Sequence, residues 1–555
     1  MDIGVVTPKK DGMNLVAKEM VLCNPSAGLL LGCRARTEQQ LSAAGFYSDS
    51  EKCYNRVQDI GDTEAFADAF HLAAVEDEEV RRVHGEKLRE FIVEHDIEKW
   101  SSTFLDPSWS HDVIKPIKLE TLNDFYGLMF QTRNVRRQIV DRILKGIPIS
   151  SHFAVSLRHA RDSLVGAAEG ETTTVRLRAD DANTPPSSSV ALVDMDVRDE
   201  LQELDVDLDF LSKVGKEEES EADDINSFIT NLSQYHSVSP EQYREELESI
   251  LNLMVAGDHF SFFFTDRDGT LKPYACTYAS SIQPSYSGVI QATFAHRCTQ
   301  NAAILTSAPL MNTGILDVNV MPDGYFAYGA SCGREWYIEA ARKFKDTSIP
   351  ESDLELLDTV FDRLNALLET PQWSDLQWIG SGLQKHYGQI TVARQDVYGS
   401  VDPARSREWY SRVCETVSQV DPSGRTLAVQ ESETDVKIHL RTPRPSGAIF
   451  TKGNGIRLYA EHMGLNIAEG RILVCGDSDT DLPMLKECLA LNPAGTYTVW
   501  VTESEELRER VQKLCEAMGN VNYAFASCPP VLLGAMAQAT IREISVRPIG
   551  HYFDD

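Results

Sequence analysis

Two aspartates one residue apart, Asp266 and Asp268, stand in the segment FSFFFTDRDGTL at residues 260–271. The apolar run before them predicts a buried parallel strand. Because open α/β sheets place their chemistry at the carboxyl ends of strands, we expect both carboxylates on a loop at that edge. There they could hold a hard cation and divide nucleophilic from acid and base chemistry. The alternative is an Asp-rich turn that only binds calcium or caps a helix.

Three further segments are predicted to end at the same edge of the sheet. A second short apolar run is followed by Thr306, whose hydroxyl can donate to a phosphoryl oxygen. The sequence TKGNG places Lys452 before a helix, where a cation would neutralise a phosphoryl group. A third strand ends just before Asp477, and Asp481 opens the next helix, so that two more carboxylates could complete a magnesium site. For single residues, a threonine that merely ends a strand and a solvated lysine are the alternatives.

The order of these strand ends, Asp-x-Asp, Thr, Lys and Gly-Asp-x-x-x-Asp, resembles the haloacid dehalogenase superfamily of phosphatases over residues 258 to about 545. The resemblance implies an α/β fold with a Rossmann-like parallel-sheet core at 258–319 and 446–548. The stretch between the threonine and the lysine is too long for a simple crossover. It is predicted to form the superfamily's large α/β cap at 320–445.

The resemblance also implies a role for each residue. Asp266 would attack phosphorus and form an aspartyl phosphate, while Asp268 would act first as general acid and then as general base. Mg²⁺ would be held by Asp266, the carbonyl of Asp268 and Asp477, and Asp481 would orient these ligands. The threonine hydroxyl and the lysine ammonium group would hold the phosphoryl oxygens.

The beginning of the chain carries a second resemblance. Residues 2–6 (DIGVV) predict a short buried strand, and TPKKDGMNLVAKEMVLC, at residues 7–23, resembles the nucleotide-sugar loop of trehalose-phosphate synthases, which are glycosyltransferases of two Rossmann-like halves (GT-B). The likeness continues to about residue 105. It implies a vestigial nucleotide-sugar site at Asp11, Gly12, Met13, Asn14, Leu15, Val16 and Glu19. Because the acceptor-binding half of such an enzyme would lie before Met1, residues 1–105 are expected to be a C-terminal remnant that cannot catalyse alone.

The segment between these two parts is predicted to be a helical bundle at 115–257. Apolar residues from Phe125 to Ile143 recur at spacings of three and four, which is typical of one buried helix face. A second helix is predicted to begin at Ser239 and Pro240, a capping serine followed by a first-turn proline. Residues 169–224 contain TPPSSS and KEEESEADD and are predicted to form an acidic, disordered loop.

The composition of the chain argues against nucleic-acid binding, membrane insertion and a structural zinc site. The net charge of -31 opposes binding to phosphate backbones, so nucleic acid is not expected as a partner. No apolar run approaches the roughly 20 residues that span a bilayer, and no signal peptide is recognisable, which predicts a cytoplasmic protein without membrane contact. The 11 cysteines form no CxxC pairs, and this pattern is typical of a reducing compartment rather than of a structural zinc site.

The cap is expected to select the leaving group. Three of its segments combine charge with strand-like alternation, and carboxylates, basic groups and aromatic faces bind sugar hydroxyls. The candidates are Arg334, Glu335, Lys385, Arg394, Glu431 and Glu433. Ala393 and Arg394 stand where related phosphatases usually have a His-Tyr-Arg segment. For each candidate, a solvated surface role is the alternative.

Taken together, the chain resembles the C-terminal part of nematode-type fusions of trehalose-phosphate synthase and trehalose-6-phosphate phosphatase. The resemblance implies an Mg²⁺-dependent hydrolysis of trehalose 6-phosphate to trehalose and phosphate. The alternative function is a regulatory or fragmentary region of a UDP-forming synthase that binds sugar phosphate without turnover, with synthase activity only in a longer form. The helical bundle could then mediate self-association or contact with a synthase.

Overall fold

The computed structural model describes residues 3–8, 16–33, 35–43, 46–48, 52–94, 113–168, 172–179, 192–214, 228–235, 238–339, 342–396, 398–441 and 448–546. The chain divides into two compact units, Met1–Asp112 and Val113–Asp555. In the described part of the chain, no helix combines the length and the apolar character that a membrane crossing requires.

The first unit is built on a parallel sheet in the order β1-β2-β3. Its strands are β1 (Ile3–Val6), β2 (Gly28–Gly32) and β3 (Asn55–Val57), and its helices are α1 (Val16–Cys23), α2 (Arg36–Ala43), α3 (Thr63–Val75) and α4 (Glu78–Glu94). The central strand β2, GLLLG, is buried along its whole length, as expected for a strand paired on both sides. The predicted strand near the start of the chain is therefore confirmed as β1.

The second unit begins with a helical bundle. Its elements are α5 (Leu122–Leu144), α6 (Ser151–Ala167), β4 (Thr174–Arg178), β5 (Leu192–Asp196), α7 (Arg198–Lys213) and α8 (Pro240–Val255). The predicted apolar face of α5 is confirmed, because Phe125, Leu128 and Ile139 are fully buried. Ser239 caps α8 by accepting a hydrogen bond from the backbone N–H of Gln242, as expected.

The predicted acidic loop at 169–224 is wrong for much of its length. Residues 172–179 and 192–214 form the antiparallel hairpin β4–β5 and the helix α7. The prediction fails because the carboxylates of Glu200, Glu203 and Asp207 are not solvated. They lie on one buried face of α7, where positive or hydroxyl groups from distant segments neutralise or solvate them.

The rest of the second unit follows in chain order. Its elements are β6 (Phe260–Thr265), α9 (Ser285–Cys298), β7 (Thr299–Leu305), α10 (Ile315–Val318), β8 (Ala327–Ala330), β9 (Glu335–Glu339), β10 (Arg342–Lys345), α11 (Glu351–Leu368), β11 (Leu383–His386), β12 (Gln389–Ala393), α12 (Pro403–Val420), β13 (Leu427–Glu431), β14 (Asp435–Leu440), α13 (Lys452–Met463), β15 (Ile472–Gly476), α14 (Leu482–Leu491), β16 (Thr496–Val501), α15 (Glu505–Ala517), β17 (Tyr523–Ala526) and α16 (Pro529–Val546).

An eight-stranded sheet in the order β10-β9-β8-β7-β6-β15-β16-β17 forms the core. The six strands from β8 to β17 in this order are parallel, and β9 turns back antiparallel at the edge. The side chains of β6 divide between the two faces: Phe263 packs with Phe294 on one face, whereas Phe262 and Phe264 belong to the cluster on the other. Helices therefore cover both faces, as the predicted Rossmann-like parallel-sheet core requires.

The cap is a separate antiparallel sheet in the order β11-β12-β14-β13. Helices α11 and α12 pack on one of its faces in a cluster that includes Trp409, Ile390 and Ile438. The predicted cap boundary at residue 320 is wrong, because β8, β9 and β10 belong to the core sheet. They join the core sheet through β7, a strand that lies outside the predicted cap. The alternation of polar and apolar residues within 320–445 therefore could not show that these three strands belong to the core.

Buried ion pairs join the helical bundle to the core. On α7, Glu203 lies 2.6 Å from Lys272, which follows the DRDGT segment, and 3.7 Å from Arg136 of α5. Arg136 also donates to Asp207 at 2.7 Å and to the carbonyl of Ile282 at 3.1 Å. The bundle thus supplies the counter-charges for groups that lie beside the Asp-x-Asp loop.

We expect Glu203→Ala to lower the free energy of unfolding by about 3–5 kcal/mol, because it leaves the buried Lys272 without its carboxylate, whereas Arg136 keeps Asp207. The matched control is Asp205→Ala on the same helix, where Asp205 pairs with Arg161 in a half-exposed position. That variant should lose less than about 1 kcal/mol. Urea unfolding followed by circular dichroism measures both, and equal losses would contradict a special role for the buried pairs.

Candidate active site

The predicted strand-end residues meet at one edge of the core sheet. Asp266 follows β6, Thr306 follows the neighbouring strand β7, and Asp477 follows β15 on the other side of β6. Because these three strands are adjacent and parallel, their carboxyl ends lie side by side. The calcium-loop and helix-cap alternatives for the two aspartates are not needed to explain this arrangement.

Lys452 is the centre of the charged cluster. Its Nζ lies 2.8 Å from Asp266 Oδ1 and 2.6 Å from Asp481 Oδ1, and only 1% of its side chain is exposed. The position is set by the start of α13, where Thr451 and Asn454 form a reciprocal capping box around the first turn. Lys452 is therefore a buried cation of the site and not a solvated surface group.

Three carboxylates crowd beside this lysine. One oxygen of each of Asp266, Asp477 and Asp481 lies within 4.8 Å of the others. Burial raises the pKa of Asp266 to about 7, although Lys452 acts in the opposite direction. Burial and the neighbouring carboxylates raise the pKa of Asp477 well above its usual range. Such an excess of negative charge, made of hard oxygen donors, fits a divalent cation of the magnesium type.

Hydrogen bonds from neighbouring groups orient two of the three carboxylates. Asp481 Oδ2 accepts from the backbone N–H groups of Asp477 and Ser478, both at 3.1 Å. Asp477 accepts from the hydroxyls of Thr270 at 2.9 Å and Tyr274 at 2.8 Å. The cluster is therefore oriented before any ligand arrives.

The glycine of the DRDGT segment has a steric function. Gly269 has a φ of +87°, and a Cβ atom there would meet Asp477 Oδ2 at 2.2 Å. Only glycine lets the loop after β6 approach the carboxylate that follows β15 this closely.

Asp268 stands apart from the carboxylate cluster. Its Oδ1 accepts from the hydroxyl of Ser281 at 2.7 Å and from Arg267 Nη1 at 2.6 Å. Its side chain is 16% exposed and lines the cleft above the site. The predicted metal contact of Asp268 was its backbone carbonyl, and this contact remains a prediction.

A cleft of about 670 Å³ separates the catalytic edge from the cap. Its floor includes Asp266, Asp268 and Thr306. Its roof is the open face of the cap sheet, where the strand register aligns Gln384, Thr391, Lys437 and Gln430 in one row across the four strands. The cap sheet is therefore apolar toward its helices and polar toward the cleft.

Two buried side chains of this roof carry polar atoms that have no hydrogen-bond partner among the described residues. Gln384 Nε2 makes no hydrogen bond within the described residues. Neither ring nitrogen of His386 makes one there, although the backbone of Ser307 lies close enough to affect the ring. Burial, with the nearby Lys437, lowers the pKa of His386 to about 3, so the imidazole is neutral. Buried polar groups without partners are costly, which indicates a polar ligand in the cleft.

Of the six predicted cap residues, Glu431 and Glu433 line the cleft. Arg394 does not; it donates to Glu431 and, at 2.9 Å, to Ser406. Lys385 pairs with Asp358 of α11 at 2.8 Å, because it alternates with the cleft-facing residues of β11 and points to the other face.

Arg334 and Glu335 were predicted to lie in the cap, and this prediction is wrong. Both lie beside the edge strands of the core sheet. Arg334 is buried beside Asp346 and the ring of Phe450, and Glu335 accepts from Ser331 at 2.6 Å. Sequence analysis missed the row of cleft-facing residues Gln384, Thr391, Gln430 and Lys437. Its position in β14 could have been found from the sequence, because side chains from Asp435 to Leu440 alternate strictly between polar and apolar and Lys437 lies on the polar face.

The predicted nucleotide-sugar residues belong to the first unit. Residues Asp11, Gly12, Met13, Asn14 and Leu15 lie outside the described residues. Val16 and Glu19 lie in α1, where Val16 is 55% exposed. Their proposed ancestry as a nucleotide-sugar site remains a prediction.

The fold and the site define a capped α/β protein of the haloacid dehalogenase type, with carboxylates and a lysine gathered at the strand ends of its parallel core sheet. The family model for the trehalose-6-phosphate phosphatase C-terminal domain matches residues 263–532, and that for its N-terminal helical bundle domain matches residues 121–231. A trehalose-phosphatase of Caenorhabditis briggsae is 30% identical over 365 residues, 62% of this chain and 82% of that protein. The chain belongs to the trehalose-6-phosphate phosphatase family.

Longer relatives match more of the chain. An alpha,alpha-trehalose-phosphate synthase (UDP-forming) of Aphelenchoides avenae is 54% identical over 98% of this chain and 41% of its own length. One of Caenorhabditis elegans is 52% identical over 98% of this chain and 44% of its own length. The chain thus spans less than half the length of these synthases. Among solved structures, the Candida albicans trehalose-6-phosphate phosphatase C-terminal domain is 15% identical, with a TM-score of 0.37 over 53% of this chain and 96% of that one.

We expect Mg²⁺ to raise the melting temperature of the protein and Asp477→Asn to abolish this shift. Without Mg²⁺, the same variant should be more stable than the wild type by about 1 kcal/mol, because it removes one of three crowded carboxylates. Thermal unfolding with and without EDTA measures both effects.

The control is Asp479→Asn, since Asp479 is an exposed neighbour that pairs with Arg510. It should keep the wild-type shift. A wild-type shift in Asp477→Asn would show that the cation binds elsewhere.

Proposed function

We propose that this chain hydrolyses trehalose 6-phosphate to trehalose and inorganic phosphate, with Mg²⁺ as its cofactor. The observation that carries the proposal is the buried cluster of Asp266, Lys452, Asp481 and Asp477 at the floor of a polar, capped cleft. A nucleophile, a phosphate-binding cation and a cation site within a few ångströms of one another support phosphoryl transfer. Family membership supports the identity of the sugar.

In this proposal, Asp266 attacks the phosphorus atom of the substrate. A bond forms between a carboxylate oxygen and phosphorus, and the bond between phosphorus and the sugar oxygen breaks. Asp268 gives its proton to the departing sugar oxygen and then accepts one from the water that hydrolyses the aspartyl phosphate. Lys452 and the Thr306 hydroxyl hold the phosphoryl oxygens during both steps.

Asp266, Asp477 and the carbonyl of Asp268 would hold Mg²⁺, and Asp481 would orient them. When bound, Mg²⁺ supplies positive charge that offsets the negative charges of the three carboxylates and of the phosphate. The crowding seen in the carboxylate cluster supports this role, because Lys452 alone neutralises only one of these charges.

The polar face of the cap sheet would bind the sugar. The volume of the cleft below this face, about 670 Å³, falls within the range of roughly 300–1,000 Å³ typical of small-ligand sites. Gln384, Thr391, Gln430 and Lys437 offer both donors and acceptors in one row, as a hydroxyl-rich disaccharide requires. The two glutamates at the rim, Glu431 and Glu433, would accept from further hydroxyls.

We expect the protein to release phosphate from trehalose 6-phosphate, to prefer it over glucose 6-phosphate, and to lose this activity in EDTA. Asp266→Asn should lower kcat by about 10⁴-fold or more, because it replaces the carboxylate that attacks phosphorus with a neutral amide. The control is Asp258→Asn, an exposed residue before the start of β6. A colorimetric phosphate assay measures each, and retained activity in Asp266→Asn would overturn the proposed mechanism.

A chain limited to residues 113–555 should keep kcat and KM for trehalose 6-phosphate within about threefold of the full chain, because the second unit has its own cores and contains the whole site. Steady-state kinetics on the two proteins tests this. Loss of activity in a truncated protein with native circular dichroism would assign a catalytic contribution to the first unit.

A further inference from the structure

The residue between the two catalytic aspartates is a buried arginine. Arg267 is only 2% exposed, and its guanidinium group donates to Asp268 Oδ1 at 2.6 Å, to the hydroxyl of Ser281 at 3.2 Å and to the carbonyl of Ser281. The hydroxyl of Ser281 donates in turn to the same Asp268 oxygen at 2.7 Å. Arg267, Ser281 and Asp268 therefore form a closed triangle of hydrogen bonds.

Both hydrogen bonds that Asp268 accepts in this triangle go to the same carboxylate oxygen. Both donors, Arg267 Nη1 and Ser281 Oγ, act on Oδ1. An oxygen that already accepts two hydrogen bonds, one of them from a guanidinium cation, is a poor place for a proton. Proton transfer is left to Oδ2 on a side chain that lines the cleft.

The segment that carries Ser281 is anchored on both sides by the helical bundle. Before it, the hydroxyl of Ser280 donates to Glu200 of α7 at 2.6 Å. After it, the carbonyl of Ile282 accepts from Arg136 of α5 at 3.1 Å. Ser281 can therefore hold Asp268 in a fixed orientation although 12 residues separate them in the sequence.

We propose that Ser281, together with Arg267, is a positioning residue that fixes the Asp268 carboxyl group so that Oδ2 delivers its proton to the departing oxygen of the substrate. The inference rests on the proposed phosphatase function. In the step concerned, the bond between phosphorus and the leaving oxygen breaks, its electron pair stays on that oxygen, and the proton of Asp268 Oδ2 neutralises it. Asp266 forms the new bond to phosphorus.

The dependence on the leaving group tests this role. A sugar alkoxide needs a proton as it departs, whereas p-nitrophenolate does not. The ratio kcat/KM includes steps only up to the first irreversible one, the departure of the leaving group, so the later use of Asp268 as a base does not affect it. General acid catalysis contributes about 10²–10⁴-fold, and one of two positioning donors should account for part of this.

We expect Ser281→Ala to lower kcat/KM for trehalose 6-phosphate at least about tenfold and for p-nitrophenyl phosphate less than about threefold. Ser281→Cys should show the same selective loss, because a thiol fills the space but is a weak donor. The control is Ser287→Ala, an equally buried serine that contacts Leu271 and Gln291 instead of Asp268. It should change both substrates alike.

Equal losses on the two substrates, or full recovery in Ser281→Cys, would overturn the positioning role and leave Ser281 as a packing residue. Failure of the wild type to act on trehalose 6-phosphate would instead overturn the proposed function. In that case phenyl phosphate, with its poorer leaving group, replaces the sugar phosphate in the comparison with p-nitrophenyl phosphate, so that the role of Ser281 is still decided.

Discussion

The ion pairs of one buried lysine organise the strand-end edge of the core sheet, where the candidate active site lies. Lys452 lies between Asp266 and Asp481 with almost no exposed surface, and an unpaired charge so placed would cost several kcal/mol. The pairing is satisfied only if the start of α13 stands above the neighbouring ends of β6 and β15. The strand order of the core sheet and the capped first turn of α13 therefore both serve one electrostatic requirement.

Two other parts of the second unit complete this edge from opposite sides. The helical bundle brings carboxylates to the base of the catalytic loop, where Glu203 pairs with Lys272 and Glu200 holds Ser280. The cap brings a sheet with one apolar and one polar face, and the polar face closes the cleft. The helical bundle therefore supports the candidate site structurally, since its side chains pair with groups beside the loop that carries both aspartates.

Much of the site could be predicted from the sequence, because its residues follow short apolar runs or open helices, and local patterns mark both. Asp266, Thr306, Lys452 and Asp477 all stand where they were expected. The errors arose where a residue's surroundings come from distant segments. The stretch that forms α7 was predicted to be part of a disordered loop because the groups that pair with its carboxylates lie on α5 and beside the Asp-x-Asp loop. The edge strands β8 to β10 were assigned to the cap because their hydrogen-bonding partner, β7, belongs to the core.

Transfer of the phosphoryl group from the substrate to Asp266 is the step on which the proposed function depends. Its most direct test is to mix the enzyme with trehalose 6-phosphate and Mg²⁺, to stop the reaction with acid within the first turnover, and to locate added phosphoryl mass by peptide mass spectrometry. We expect a transient phosphoryl group on the peptide that contains Asp266, which disappears as free phosphate accumulates. A phosphoryl group on another residue, or turnover with no covalent intermediate at any time point, would contradict it.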